Sequence, residues 1–269
     1  MKVFISTNVK DEDNLVEWCA YHLLIGFDGV LVVDNNSRIP AAKIIADAGL
    51  AQKVTVIPYA RRGNIKKPLL NGVVKPFMVR HAVDWFIHLD ADEYFNLANG
   101  VFASVKDFIG AVAPAANTIA LNWVMYGTNH LNQQPEGLVI ENFTRCARSH
   151  PAVKCLVKTR DVIKAPHVHY WSLRAPCGVD ANGRPWKIGF ANTATRGIDD
   201  AAYISHFVYQ SYAKYLERKI NRKTDDGVQR RVKGRAELHS QYNAIENRTL
   251  VEFGPKIKEF LAAHAEEEV

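Results

Sequence analysis

Residues 85–95 read Trp-Phe-Ile-His-Leu-Asp-Ala-Asp-Glu-Tyr-Phe, an apolar run of strand length that ends in three carboxylates within four residues. Consecutive apolar side chains are typical of a strand buried on both faces of a parallel sheet. The acids would then lie at the carboxyl end of that strand, where open α/β sheets bind ligands. Asp90 and Asp92 could together hold one hard divalent cation, Mn²⁺ or Mg²⁺, that also takes diphosphate oxygens from a substrate. The alternative is a solvated acidic turn that closes the strand.

The first sixty residues alternate between short apolar runs and helical patterns. Strands are predicted over 3–7, 30–33 and 54–57, and helices over 15–25 and 41–48, with a glycine at the end of each helix. This order is the pattern of right-handed βαβ units. The sequence therefore predicts an α/β fold in which residues 85–89 form the next core strand.

The rest of the chain gives a less regular pattern. Residues 61–80 carry six Lys or Arg and are predicted to be a mobile basic loop beside the site, where they could meet phosphates. Residues 101–112 predict a helix, and 180–184 have the composition of a hairpin turn. Further strands are predicted at 118–124, 138–140, 153–157 and 168–171. From about residue 209 onward the pattern is helical and charged.

The composition is that of an ordinary globular protein, with 48% hydrophobic and 23% charged residues among 269. No apolar run reaches the roughly 18–20 residues that span a bilayer, and the N-terminus lacks the pattern of a signal peptide. The four cysteines show neither a CxxC pair nor regular spacing, which favours a reduced, cytoplasmic chain and makes a zinc site improbable.

The net charge of +6 is concentrated in residues 214–235, which contain nine Lys or Arg and three Asp or Glu. Such a segment can meet nucleic acid, anionic lipid or a phosphorylated substrate, or it can be a solvated helix face. No nucleic-acid motif accompanies the charge, so we expect no nucleic-acid partner. A peripheral contact with an anionic membrane on the cytoplasmic side is the hypothesis that we retain.

Four stretches in order resemble the GT-A glycosyltransferases, specifically their family 2-like and family 92-like group. The first stretch combines Lys-Asp-Glu at 10–12, Glu-Trp at 17–18, Tyr-His at 21–22 and Asp-Asn-Asn-Ser at 34–37. The second is Asp-Ala-Asp-Glu-Tyr-Phe at 90–95. The third combines Trp123, Tyr-Gly-Thr-Asn-His at 126–130 and Glu-Asn-Phe at 141–143, and the fourth is Ser-His-Phe-Val-Tyr-Gln-Ser at 205–211. Ser205 and Gln210 depart from the group's pattern, and Gln210 stands where a phosphate-binding lysine would be expected.

The resemblance implies a GT-A, Rossmann-like mixed sheet flanked by helices, with a catalytic domain over 1–208 and a basic helical extension over 209–269. Residues 1–100 would form the nucleotide-binding half and residues 101–208 the acceptor half. It implies a metal-dependent, inverting transfer of a sugar from a nucleoside diphosphate, a UDP-sugar in our prediction. The acceptor would be a glycan or a lipid-linked glycan of a cell-surface polysaccharide pathway.

Each predicted site residue has an expected role. Asp90 and Asp92 would be metal ligands with Mn²⁺ or Mg²⁺, and His169 is the third ligand that we favour over His167 and His206. Asp92 is expected to face the surface at the strand end. Glu141 is ranked first as the base that deprotonates the acceptor hydroxyl, before Glu136, Asp199 and Asp200. The nucleotide-binding residues would be Thr7, Asn8, Lys10, Asp34, Asn36, Asp90 and Lys154, and the acceptor-binding residues Trp123, Asn129, His130 and His206.

Two other classes of protein fit less well. A sugar nucleotidyltransferase should have a glycine-rich loop after the first strand, and residues 6–10, Ser-Thr-Asn-Val-Lys, contain no glycine. A carbohydrate-binding or membrane-associated scaffold of the same fold would have lost turnover, and the intact pair of Asp90 and Asp92 argues against that loss.

Overall fold

We describe a computed structural model of the chain over residues 1–190, 196–221 and 231–266. Its centre is a mixed nine-stranded β-sheet, in the order β3-β2-β1-β4-β8-β6-β12-β5 with β11 also paired to β6. These strands are β1 Val3–Val9, β2 Gly29–Asp34, β3 Val54–Pro58, β4 Trp85–His88, β5 Glu93–Leu97, β6 Thr118–Met125, β8 His150–Lys158, β11 Gly178–Asp180 and β12 Ala202–His206. Shorter strands outside this sheet are β7 Arg145–Cys146, β9 Val162–Lys164, β10 Ser172–Leu173 and β13 Ile245–Glu246.

The helices lie between the strands and after the last of them. They are α1 Leu15–Leu24, α2 Ala41–Asp47, α3 Lys66–Leu69, α4 Lys75–Arg80, α5 Val105–Val112, α6 Val139–Asn142, α7 Tyr212–Tyr215, α8 Arg235–His239 and α9 Phe253–Glu266. A wide π-helical turn, Leu70–Val74, joins α3 to α4, and a second one, Leu216–Asn221, continues α7. None of the described helices is long and apolar enough to cross a membrane.

The strands of the first half have apolar side chains on both faces because both faces of the sheet are covered. In β1, Val3 and Ile5 belong to the same apolar cluster as Trp18 of α1, whereas Phe4 packs on the opposite side against Phe77 of α4. Each such fully buried side chain stabilises the fold by roughly 1.5–3 kcal/mol relative to its exposure to water. The α/β class predicted from the apolar runs is confirmed.

Parallel pairing sets the position of the site. In β1, Val9 pairs with Asp34 of β2, and Ser6 pairs with His88 of β4, so the carboxyl ends of these three strands lie side by side. The chain leaves β4 through residues 89–92 and returns as β5, which is antiparallel to β12. Asp90 and Asp92 therefore follow the carboxyl end of β4, beside the ends of β1 and β2, as predicted, but the sheet is mixed because β8 pairs antiparallel with β4.

Three predictions of local structure are wrong and the start of a fourth element is shifted, and each difference has a physical reason. Residues 61–80 are not a mobile basic loop, because α3 and α4 occupy 66–80 and bury Leu69, Val74 and Met78. Pro68 lies in the first turn of α3, where backbone N–H groups lack a helical partner, and Pro76 lies directly after the π-helical turn at the start of α4.

Residues 138–140 do not form a strand, since α6 begins at Val139. The buried carboxylate of Glu17 accepts hydrogen bonds from the backbone N–H groups of Val139 (2.8 Å) and Ile140 (3.1 Å), the first two residues of that helix. This contact caps the helix from 122 residues away in sequence. Burial raises the pKa of Glu17 to about 7, against the lowering effect of these two N–H groups.

Residues 168–171 are a series of bends rather than a strand. Their side chains pack one by one on the sheet: the His169 ring donates from Nδ1 to the carbonyl of Val153 (2.7 Å), and Trp171 meets Phe86 edge to face. The helix predicted over 101–112 begins only at Val105, because the Ser104 hydroxyl accepts from the N–H of Asp107 and caps it there.

Candidate functional site

The carboxylate-bearing turn between β4 and β5 is the centre of the site. Asp90, Ala91 and Asp92 lie in a tight turn rather than an extended segment, with the N–H of Glu93 bonded to the carbonyl of Asp90 (2.9 Å). The Asp90 N–H in return donates to Oε2 of Glu93 (3.0 Å). Because the turn is closed in this way, Asp90 and Asp92 meet different sets of partners.

Asp90 is held by two lysines from distant elements. Nζ of Lys66, from α3, donates to both carboxylate oxygens (2.7 and 2.8 Å), and Nζ of Lys154, from β8, lies 3.7 Å from Oδ2. Burial raises the pKa of Asp90, but the charges of Lys154 and Lys66 outweigh burial and hold it well below its usual value. Asp90 is therefore ionised throughout the neutral range.

Asp92 is almost fully buried, so the expectation that it faces the surface is wrong. Nη2 of Arg218 and Nζ of Lys219 each lie 3.2 Å from its Oδ2, and Nε2 of His206 lies 3.6 Å from its Oδ1. Burial raises the pKa of this carboxyl, but Lys219, Arg218 and His206 together hold it well below its usual value. The strand-end acid is thus part of a charged cluster inside the protein.

Glu93 is the third acid of the cluster and has no exposed surface. Its Oε2 lies 3.1 Å from Nζ of Lys154, which is itself 2% exposed. Its Oε1 has no hydrogen-bond partner among the described residues and lies 3.9 Å from Nδ1 of His206, which likewise has none. Burial raises the pKa of Glu93, an effect that Lys154 opposes.

Trp123, on β6, forms a wall beside the cluster. Its ring lies 4.7 Å from that of His206, 4.9 Å from that of His169 and 5.6 Å from that of His150. Its indole Nε1 is buried and has no hydrogen-bond partner in the described part of the chain. An aromatic ring with an unused donor, beside the histidine that approaches Asp92, is suited to contact a sugar ring and one of its hydroxyls.

Apart from Asp90 and Lys154, the residues predicted to bind the nucleotide lie in or just after the carboxyl ends of β1 and β2. Thr7 is buried, and Oδ1 of Asn8 is a buried acceptor without a donor among the described residues. Asp34 accepts from the N–H groups of Ser37 (3.0 Å) and Ala41 (2.9 Å), so it also closes the turn before α2. Lys10 is half-buried, and Asn36 is exposed and has a positive φ of 62°.

Asn129 and His130, predicted to bind the acceptor, lie in a loop that is bonded to several other segments. The Asn129 side chain donates to the carbonyl of Asn142 (3.1 Å) and accepts from the N–H of Arg145 (2.8 Å). The His130 N–H donates to Oγ1 of Thr128 (3.2 Å), and both residues have positive φ, 49° and 61°. Asn129 thus fixes the loop, whereas the His130 ring lies 6.0 Å from that of His239.

Glu141, our first choice as the base, lies on α6 and faces α9. Both of its carboxylate oxygens accept from Nζ of Lys258 (2.8 and 3.0 Å). Of the other acids considered for this role, Asp199 pairs with Arg148 and Asp200 accepts from Asn182, whereas Glu136 is exposed. The structure brings Asp90, Asp92, Lys154, Trp123, His169 and His206 together, and it does not add Glu141 to that cluster.

The donor set can be tested against a divalent ion. Among the described residues, no three His, Cys, Asp or Glu side chains are arranged as a metal-binding group, so His169 as third ligand stays a prediction. Asp90 and Asp92 nevertheless supply carboxylate oxygens, the ligands that Mn²⁺ and Mg²⁺ prefer, and the orphaned Oε1 of Glu93 is a third buried carboxylate oxygen. These oxygen donors are of the type that a hard ion prefers, and in the chain without ligand Asp90 and Asp92 are both paired with basic side chains.

The sequence did not indicate two of the main partners of Asp92. Arg218 and Lys219 follow it by more than 120 residues and were counted only as part of the basic segment 214–235. Arg218 also lies 3.2 Å from Oε2 of Glu12 and is 8% exposed. Gln210, at the position where a lysine was expected, instead accepts from Nε2 of Gln134 (3.3 Å).

The basic segment is therefore not a uniformly solvated face. Lys214 is buried and paired with Asp13 and with Glu217, and Arg218 and Lys219 point at Asp92. Beyond them, Arg231 pairs with Glu237, and Nζ of Lys233 bonds to the hydroxyl of Tyr209 (2.6 Å). Residues 222–230, which include Arg230, lie outside the described residues.

Comparison with known proteins gives distant structural likenesses. No family model and no curated protein matches the chain. Residues 1–349 of S. aureus TarS, solved with UDP-GlcNAc, match with a TM-score of 0.38 and 14% identity over 59% of this chain and 46% of that one. HddC from Yersinia pseudotuberculosis matches with a TM-score of 0.39 and 10% identity over 63% and 82%. The chain thus spans about half of the TarS fragment, and a likeness at this level assigns no family.

Proposed function

We propose that the chain is a glycosyltransferase that moves a sugar from a nucleoside diphosphate donor to an acceptor hydroxyl. The observation that carries the proposal is the pair Asp90 and Asp92 at the carboxyl edge of the sheet, with four basic side chains converging on it. Ligands of α/β proteins bind at such an edge. A diphosphate leaving group needs cations to stabilise its developing charge, and a cluster that holds both signs suits a donor bound with a divalent ion.

In this proposal Asp90 and Asp92 would hold Mn²⁺ or Mg²⁺, and His169 is the candidate for a third protein ligand. When bound, such an ion would act as a Lewis acid on the diphosphate oxygens. The chain's own contribution is to keep both carboxylates ionised. Lys66, Lys154, Arg218 and Lys219 supply that effect in the folded protein.

The donor is proposed to be a UDP-sugar whose nucleoside lies over the ends of β1 and β2. Oδ1 of Asn8 is a buried acceptor in position to receive a hydrogen bond, and Lys10 and Asn36 follow the same two strand ends. Asp34 would have to accept from the nucleoside in addition to its two backbone contacts. Thr7, in β1, stays a predicted contact of the nucleoside, although its side chain is buried in the chain without ligand.

The acceptor is proposed to be a glycan or a lipid-linked glycan of a cell-surface polysaccharide pathway, and the transfer to be inverting. Support for these points comes from the sequence resemblance, together with the Trp123 ring and His206 beside the carboxylates. Glu141 stays our prediction for the base, although it would have to leave Lys258 to act. In a test, Glu141→Gln should lower kcat by about 10²–10⁴-fold with donor binding unchanged, while Glu259→Gln, at an exposed position of α9, serves as the control.

A peripheral contact with the inner face of the plasma membrane is also a proposal. Its support is now limited to residues 231–235 and the part of the segment outside the described residues, because Lys214 and Arg218 are buried. Neutralising Arg230, Arg231 and Lys233 together should weaken binding to vesicles that contain anionic lipid. Unchanged binding at low salt would contradict this part of the proposal.

The experiment that tests the function is a thermal-shift panel of nucleoside diphosphates and nucleotide sugars, each with and without Mn²⁺. A ligand that binds only the native state raises the unfolding midpoint according to its affinity and concentration. We expect a shift with UDP or a UDP-sugar that grows with Mn²⁺, and in Asp92→Ala this growth with Mn²⁺ should be lost. No shift with any nucleotide would favour the non-catalytic scaffold. A shift should be followed by an assay for metal-dependent hydrolysis of that donor.

A further inference from the structure

The cations at Asp92 exceed what one carboxylate requires. Arg218 and Lys219 both reach Oδ2 at 3.2 Å, and His206 approaches Oδ1. A single strong partner suffices to compensate a buried carboxylate, and each further cation adds its own cost of desolvation. Two long basic side chains on the same oxygen therefore suggest that one or both have a second partner when the protein is loaded.

One nitrogen of the Arg218 guanidinium has no hydrogen-bond acceptor among the described residues. Nη2 meets Asp92 and Glu12, but Nη1 is buried without any hydrogen-bond acceptor among the described residues. A guanidinium has five N–H donors in a fixed fork that matches carboxylate and phosphate oxygens. Leaving one of its nitrogens buried and unpaired is costly, so an acceptor oxygen supplied by a ligand would stabilise it.

Lys219 is placed to reach that ligand. Its side chain is 24% exposed while its Nζ touches the buried Asp92, so it lies between the cluster and solvent. It belongs to the same wide turn, Leu216–Asn221, as Arg218. Single π-helical turns of this kind occur frequently at functional sites.

The formal charges of the cluster balance in the chain without ligand. Four acids, Asp90, Asp92, Glu93 and Glu12, face four bases, Lys66, Lys154, Arg218 and Lys219. A divalent ion on the carboxylates would compete with these bases for the same oxygens. The bases that it displaces would then be adjacent to the diphosphate that arrives with the ion.

We propose that Arg218 and Lys219 bind the diphosphate of the donor, and that they exchange Asp92 for phosphate oxygens when donor and metal bind. This inference rests on the proposed function and assigns the diphosphate contact to residues that no sequence motif indicated. In the chain without ligand the two side chains hold Asp92 ionised and in place. No covalent step is involved, because the exchange only changes which anion each cation meets.

The test is calorimetric binding of UDP and of inorganic pyrophosphate, with and without Mn²⁺, to the full chain and its variants. Lys219→Met should weaken both ligands roughly tenfold, and Arg218→Lys should weaken them by a smaller factor because the charge remains but the fork is lost. Arg218→Lys is preferred to a neutral residue, which would leave Glu12 and Asp92 without this partner and could prevent folding. Lys214→Met, from the same segment and paired with Asp13, is the matched control and should bind as the wild type does.

Asp92→Asn tests the proposed exchange of partners most directly, because the proposal predicts tighter rather than weaker binding. Because it removes the anion that competes for Arg218 and Lys219, it should strengthen metal-free pyrophosphate binding by about fivefold while abolishing the gain from Mn²⁺. A purely structural role for the two cations predicts no such gain. If Lys219→Met and Arg218→Lys bind UDP as tightly as the wild type, the inference is overturned and the proposed function stands. If the wild type binds neither ligand under any condition, both are overturned.

Discussion

Lys154 and Glu93 form an ion pair inside the protein, with Nζ of the lysine 3.1 Å from Oε2 of the glutamate and neither side chain more than 2% exposed. The same lysine lies 3.7 Å from Asp90, so one buried cation serves two acids of the turn. Burial alone would lower the pKa of Lys154, but Asp90 and Glu93 outweigh it and raise the pKa above its usual value. The conformation of the carboxylate turn thus depends on β8, from the middle of the sheet.

Lys154→Met should therefore destabilise the protein strongly. It leaves Glu93 buried without its cation, a change that typically costs about 3–5 kcal/mol. The double variant with Glu93→Gln should recover at least half of that loss, since the uncompensated charge is gone. Urea unfolding at pH 7 measures both. Lys158→Met, on the same strand with its Nζ 5.3 Å over the Trp85 ring, is the control and should cost under about 1 kcal/mol.

The pH dependence of the Lys154→Met variant provides a second check. Burial raises the pKa of Glu93, and removal of Lys154 takes away the charge that opposes this rise. A carboxyl whose pKa in the folded state exceeds that in the unfolded state destabilises the fold as pH rises through that range. The loss of stability should thus be larger at pH 8 than at pH 5. An equal loss at both values would show that Glu93 is not the group left without a partner.

Asp92→Ala should abolish metal-dependent hydrolysis of the donor and also lower stability. The carboxylate is buried among Arg218, Lys219 and His206, so its removal leaves Arg218 with Glu12 as its remaining anion. We expect a loss of about 1–3 kcal/mol in the free energy of unfolding. Asp47→Asn, at an exposed i,i+4 pair with Lys43, is the control and should change stability by less than about 0.5 kcal/mol. Turnover by Asp92→Ala at the wild-type rate would contradict the proposed site.

The sequence predicts the half of the site that depends on strand ends. Apolar runs identify β1, β2 and β4, and parallel pairing then requires their carboxyl ends to meet, which places Asp90 and Asp92 at a ligand-binding edge. These inferences hold because a buried strand has a local signature in the sequence. The acids follow such a strand directly, so their position does not depend on any long-range contact.

The other half of the site depends on contacts that have no local signature. Arg218 meets Asp92 across 126 residues, and Glu17 caps α6 across 122. A lysine on a strand is compatible with either a surface or a buried partner, so only the packing of β8 between β4 and β6 shows that Lys154 lies inside. Helix α3 is a further case: its basic residues predict a solvated loop, and only the packing of the fold shows that Leu69 is buried.

Residues 66–80 provide a direct test of that last correction. Hydrogen exchange monitored by mass spectrometry should show slow exchange over 69–80, because Leu69, Val74 and Met78 are buried in the core under α3 and α4. Residues 61–64, which are exposed and precede the helix, should exchange much faster and serve as an internal reference. If residues 69–80 exchange as fast as residues 61–64, the segment is a mobile loop, as the sequence predicts, and the correction is contradicted.

Helix α3 should also become more protected when the donor binds, if Lys66 stays at the site. Its Nζ donates to both oxygens of Asp90 in the chain without ligand. Protection of 66–69 that increases with UDP and Mn²⁺ would be the expected result. Lys66→Met should reduce that increase without changing the protection of α4, which buries Phe77 and Met78 independently of the lysine.

His22 should make the protein sensitive to acid. Its ring is fully buried in α1, where Nδ1–H donates to the carbonyl of Trp18 (2.8 Å) and Nε2 accepts from the N–H of Phe95 (3.1 Å). Burial lowers its pKa to about 3, from an ordinary value near 6.5. The unfolded chain therefore takes up a proton below pH 6.5 that the folded chain does not, and stability falls as pH decreases from 6.5 toward 3.

Between pH 5.5 and 4 this one residue should contribute a slope of about 1.4 kcal/mol per pH unit to the free energy of unfolding. His22→Gln should be less stable at pH 7, because it loses one of the two ring hydrogen bonds, and its slope should be smaller by that amount. Urea unfolding at four pH values in this interval gives both slopes. Equal slopes for variant and wild type would mean that the His22 ring takes up its proton in the folded protein as readily as in the unfolded chain, and that the two ring contacts do not hold it neutral.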